Sequence, residues 1–160
     1  MVYTAEQLKA KLASMQLVLP PLPQSKGIYK RVLEYNGLLY VSGHISVDAN
    51  GAAITGRLGE TMTVEEGVVA ARQCGLAILA AICQAPHLCE RIVQVVKLLG
   101  MVNAAPHFGQ HAMVLNGCSA LFEAVWGPEQ GVGVRSAVGM GSLPGGVAVE
   151  IEGIFALGPS

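Results

Sequence analysis

The sequence predicts an α+β domain in which helices pack on one face of a mixed β-sheet. Three observations carry that expectation. Asn36-Gly37 stands between the apolar runs 28–34 and 38–42, and Asn-Gly in that setting is the strongest short hairpin signal. Thr63-Val64-Glu65-Glu66 is a capping box opening a long run with apolar residues at three- and four-residue steps. Residues 92–99, IVQVVKLL, are β-branched and apolar, the pattern of a buried strand. Helical and extended periods follow one another through the chain without an internal repeat.

In chain order, 4–17 reads as an added N-terminal amphipathic helix. Thr4 and Gln7 form a capping box, and Leu8, Leu12 and Met15 recur at helical spacing. Leu19-Pro20-Pro21-Leu22-Pro23 cannot continue it and runs extended as a connector. Residues 1–24 are thus helix plus connector, and 25–160 the main body of a single domain. The hairpin strands are expected at 28–35 and 38–43. Gly43 allows close backbone approach at a pocket rim. His44 is either a ligand contact or a surface histidine. A turn at 47–51 and a short strand at 53–55 follow. Residues 56–62 form a loop, and Gly56-Arg57-Leu58-Gly59 lacks the lysine and pattern of a phosphate loop.

The second helix runs from the capping box to about residue 84. Val64, Val68, Ala71, Gly75, Ile78, Leu79 and Ile82 mark its buried stripe, and Pro86 closes the segment. The strand from 92 extends toward 102. A third helix is expected to start at Pro106 and continue through Trp126. His107 and His111 would then share a face, but no cysteine or carboxylate completes a ligand pattern, so no metal is expected. Asn116-Gly117 is an odd choice for a helix interior. A polar residue kept there faces a pocket or an interface. Gly127-Pro128 stops the helix, and 128–133 is a loop.

Residues 132–152, VGVRSAVGMGSLPGGVAVEIE, read as two strands joined by a turn at 142–146. Arg135 opens the first strand. Glu150 lies on the second, opposite the face of Val147, Val149 and Ile151. An arginine fork suits a small carboxylate. A carboxylate on a half-buried strand can hold a water or pass a proton. The alternatives are a structural ion pair, with Arg135 bonded to Glu152 or to a neighbouring subunit's glutamate, and two solvent-facing charges on a solvated edge.

Composition narrows the function. The chain has 160 residues, 52% apolar and only 13% charged, against about 25% charged in an average domain. Mean hydropathy is +0.49. So few charges cover a monomer poorly, which predicts an oligomer hiding apolar area. A net charge of −1 and the absence of a basic run leave no footprint for nucleic acid, which is not an expected partner. Glu6, Lys9 and Lys11 interrupt any signal-like stretch. The most apolar stretch, 68–83, contains Arg72 and Gln73 and reads as falling short of a membrane span. Cysteines at 74, 83, 89 and 118 form no C-x-x-C and read as free thiols in a reducing, cytoplasmic setting.

The R-S-x-V, L-P and V-x-V-E-I-E pattern at the C-terminus resembles the signature of the YjgF/RidA family, also called the L-PSP endoribonuclease family. Gly27-Ile28-Tyr29, Leu39-Tyr40-Val41-Ser42-Gly43-His44 and Leu115-Asn116-Gly117 are similar in the right order. The resemblance covers about residues 25–157. It implies the chorismate mutase-like fold, assembled as a homotrimer with pockets between subunits. It also implies hydrolysis of reactive enamine and imine acids such as 2-aminoacrylate to keto acids and ammonia, without metal or cofactor. Arg135 matches the arginine that grips the substrate carboxylate, and Glu150 the glutamate that positions the attacking water. Tyr29, Ser42 and Asn116 match pocket positions. Two departures bear on substrate identity. Ala137 stands where relatives often carry cysteine, and His44 where they often carry glutamine. A non-catalytic binder of small carboxylates stays open as an alternative. The family's ribonuclease activity is disfavoured by the acidic balance.

Overall fold

Asn36 and Gly37 adopt φ angles of 51° and 74°, the pair of positive values a two-residue type I′ turn requires. They join β1 (Val32–Tyr35) to β2 (Leu38–Ile45), with Tyr35 opposite Leu38. The remaining elements are α1 (Ala5–Ser14), α2 (Val64–Cys83), α3 (Pro86–Cys89), β3 (Ile92–Asn103), α4 (His111–Gly131), β4 (Val134–Met140) and β5 (Val149–Leu157). This is a computed structural model, and it describes residues 2–25 and 27–159. The strands form one five-stranded sheet in the order β1-β2-β5-β3-β4. All pairs are antiparallel except β3 with β4, so the sheet is mixed.

Both expected capping boxes form. Thr4 and Gln7 close α1, and Thr63 and Glu66 close α2, each through reciprocal side-chain to backbone bonds. Helices α2 and α4 lie together on one sheet face. At their contact a Cβ on Gly117 would stand 2.0 Å from the Val68 carbonyl oxygen, so only glycine permits this approach. Phe122, Trp126 and Phe155 pack as a ring cluster with centroids 5.5 to 6.1 Å apart. Each ring removed from water contributes about 1.5–3 kcal/mol. Ala5, Leu8 and Leu12 of α1 join the same core. Helix α2 is long and apolar enough to cross a membrane by length and composition, contrary to the sequence reading; 67% of its most apolar window is buried inside the domain, as befits a core helix.

Several boundaries differ from expectation. Helix α1 ends at Ser14, and Gln16 takes a positive φ of 58°. Strand β1 begins at Val32, not at 28, because 27–29 bends outward with Ile28 exposed. The expected strand at 53–55 reduces to two isolated bridges, Val47 with Ala53 and Thr55 with Val147. Pro86 does more than end α2, since it opens the short α3. Helix α4 starts at His111, after a turn that holds Pro106. His107 therefore lies outside the helix, its Nε2 3.2 Å from the Gly59 carbonyl oxygen, and shares no face with His111. Gly127 breaks α4 with φ 83°, but Pro128 to Gly131 resumes a helical turn where a loop was expected.

The largest difference concerns β4 and β5. They are not neighbours, for β3 runs between them. The turn of 142–146 includes a 3-10 turn at Pro144–Gly146 and carries the chain across β3 to reach β5.

A candidate active site divided between two pockets

The register of β2 on β5 shifts between Val41 and His44, which places a bulge at Ser42 and Gly43. Beyond it Ile45 pairs with Glu150. The bulge brings the Gly43 backbone against the glutamate, so that an added Cβ would lie 2.1 Å from Glu150 Oε1. Gly43 thereby makes the seat of this carboxylate, as its expected close-approach role requires. No lysine or arginine among the described residues forms an ion pair with Glu150. Burial pushes its carboxyl above the ordinary value of 4.5, and the nearby Glu152 charge adds to the shift.

His44 is not on the surface; it is only 5% exposed. Its Nδ1 lies 2.7 Å from the Ser42 carbonyl oxygen. A carbonyl only accepts, so Nδ1 carries the proton and Nε2 presents a lone pair. That Nε2 is buried with no partner among the described residues. Burial holds the imidazole below its ordinary value of 6.5; the Ser42 bond opposes this and the Arg31 charge reinforces it.

A cavity of about 660 Å3 collects Tyr29, Arg31, Ser42, Gly43, His44 and Glu150. Its outer wall is the proline connector, from Leu22 to Ser25. Pro21 of that connector packs on the 47–51 turn so closely that a Cβ on Gly51 would sit 2.9 Å from its ring. The Ser42 hydroxyl is spent on the Lys30 carbonyl at 2.6 Å. Tyr29 is 53% exposed and lines the cavity.

Arg135, Asn116 and Ala137 lie elsewhere. Arg135 leaves edge strand β4 toward α4. It donates from Nη1 to Ser119 Oγ at 2.8 Å, and from Nη2 to Asn116 Oδ1 at 2.8 Å and the Ala112 carbonyl at 3.2 Å. All three acceptors are neutral, and neither Glu152 nor any other carboxylate of the described residues pairs with it. A smaller cavity of about 250 Å3, with Glu123 on its wall, surrounds this group. Ala137 follows two residues along the same strand, opposite Gly100. Within one protomer the expected pair is thus not assembled. Five of the expected site residues share the large cavity, while Arg135, Asn116 and Ala137 mark the β4 edge.

Sequence reasoning missed Arg31 and Ser119. Arg31 stands two residues after Tyr29, a spacing that puts both on one side of an extended segment. Ser119 stands three after Asn116, on the same helical face. Both signals were present, but neither residue type announces itself alone.

Residues 21–157 match the family described as Endoribonuclease L-PSP. Protein TCP17 of Trypanosoma cruzi is 35% identical over 156 residues, spanning 98% of each chain. The crystal structure of Atu1372, a protein of unknown function from Agrobacterium tumefaciens, is 32% identical and superposes with a TM-score of 0.85, covering 97% of this chain and 96% of that one. RidA from an Antarctic Psychrobacter is 24% identical with a TM-score of 0.56, over 84% of this chain and 93% of its own, a likeness of fold.

Proposed function

The chain belongs to the endoribonuclease L-PSP (YjgF/RidA) family, and from that membership we propose that it hydrolyses small imino acids to keto acids and ammonia. The site is completed between subunits of a homotrimer. The observation that carries this reading is Glu150, a desolvated carboxyl with a raised pKa seated on the Gly43 backbone inside the large cavity. The division of Arg135 and Glu150 between two pockets supports the assembly, since each half needs a neighbour to become a site.

Arg135 of one subunit binds the substrate carboxylate by charge-assisted hydrogen bonds from the guanidinium donors that its α4 contacts leave free. Its bonds to Ser119 and Asn116 orient the fork without neutralising it. Glu150 of the next subunit accepts a proton as water adds to the imine carbon. It returns that proton to the nitrogen to give a carbinolamine, then takes the carbinolamine hydroxyl proton as the C=O bond forms and passes it to the amine, so the C–N bond breaks and ammonia leaves. A pKa raised above the ordinary value suits a group that must both take and give a proton. The test is ammonia release from freshly generated 2-aminoacrylate. Wild type releases ammonia above the spontaneous rate, and Glu150→Gln falls about 10²-fold or more. Binding of keto acids without any turnover identifies a carboxylate-binding protein and removes the catalytic reading.

A further inference from the structure

We propose that the large cavity selects acids carrying a second anionic group, and that Arg31 is the residue that binds it. The inference rests on the reading in which Arg135 of a neighbouring subunit holds the first carboxylate. Arg31 is half-buried and lines the same cavity as His44 and Glu150. Its position is fixed at both ends. The backbone carbonyl accepts from Ser42 N at 2.9 Å, and Nη2 donates to the Pro23 carbonyl on the cavity's outer wall. That bond uses one of five guanidinium donors. No carboxylate of the described residues pairs with it. Its positive charge reaches into the cavity, where it disfavours protonation of His44.

A monoacid held by Arg135 leaves the remaining Arg31 donors in a partly dehydrated cavity without an anion. A diacid supplies one, in the planar geometry the fork prefers. Glu150 is the single acid on the described cavity wall, so one carboxyl stands in the cavity beside the Arg31 guanidinium. Leu22, Val47 and Val147 supply apolar wall, which suits a methylene spacer between the two charged ends. The ligand class is therefore a small 2-imino or 2-oxo diacid.

The test compares 2-oxoglutarate with 2-oxopentanoate, acids of equal chain length that differ in the terminal carboxylate. Calorimetric titration into the full-length protein is expected to show the diacid bound about tenfold tighter or more. In Arg31→Met the ratio of affinities collapses toward one. Arg31→Lys keeps the charge without the fork and retains part of the preference. Circular dichroism and Tm verify the fold of both variants, and the ratio is read within each protein. Equal affinities in wild type, or a diacid preference that survives Arg31→Met, overturn the inference while leaving the hydrolase reading intact. Failure of either acid to bind, with no imine hydrolysis, overturns both.

Discussion

Gly43 does more than turn the chain. Its bare Cα is what lets the Glu150 carboxyl lie at the cavity wall. A methyl group there meets the far end of a flexible side chain, which can move at small cost in stability. Gly43→Ala is accordingly expected to shift Tm little but to lower kcat about tenfold or more, because a displaced general base loses its geometry. Differential scanning fluorimetry beside steady-state kinetics separates the two effects. The pH dependence follows from the same residue. In the proposed hydrolysis Glu150 acts as base when ionised, so kcat/KM is expected to rise with pH through a midpoint above 4.5, and Glu150→Gln to lose that limb. Stability runs the other way. The folded state holds this proton more tightly than the unfolded chain, so stability falls as pH rises from 4.5 through the raised value. His44, held below 6.5, has the opposite sign. The unfolded chain takes up that proton first, so stability is lost as pH falls below 6.5, and His44→Gln flattens the loss. Tm against pH for each variant reads both slopes.

At the scale of elements, local chemistry was legible and long-range pairing was not. Asn36-Gly37 and the boxes at Thr4 and Thr63 act within four residues, and each forms as its sequence requires. The bulge that buries His44 needs β5 opposite β2, which no local pattern reveals. The same holds for β3 lying between β4 and β5: a turn residue signals a reversal, not which strand is met afterwards. Asn116-Gly117 was readable as an anomaly, and its two halves have separate causes. Asn116 accepts from Arg135, and Gly117 permits the α2–α4 contact. Gly117→Ala puts a Cβ against the immovable Val68 backbone and is expected to cost about 1–3 kcal/mol by overpacking. Urea unfolding measures it. Thr63→Ala, which removes a cap alone, costs about 1 kcal/mol.

For the whole molecule, the sheet face away from α2 and α4 is the open question that composition raised. Leu33, Tyr40, Ile154, Lys97 and Val134 form one row across it. Val134 is 68% exposed and Leu33 47%. An apolar sheet face of this breadth wants a partner, and two further copies of the chain supply it in our reading. Light scattering at micromolar concentration is then expected to give three times 16.6 kDa. The central claim, that Arg135 of one subunit serves Glu150 of the next, has a more direct test. Arg135→Ala and Glu150→Gln are each prepared as inactive homotrimers, mixed in equal amounts, dissociated and reassembled. In a cyclic trimer with sites at heterologous interfaces, each site draws one half from each of two subunits. Half the subunits carry an intact arginine and half an intact glutamate, so about a quarter of the sites regain both and activity returns to about a quarter of wild type. Mixed trimers that form, as native mass spectrometry verifies, yet stay as inactive as the parents would contradict the account.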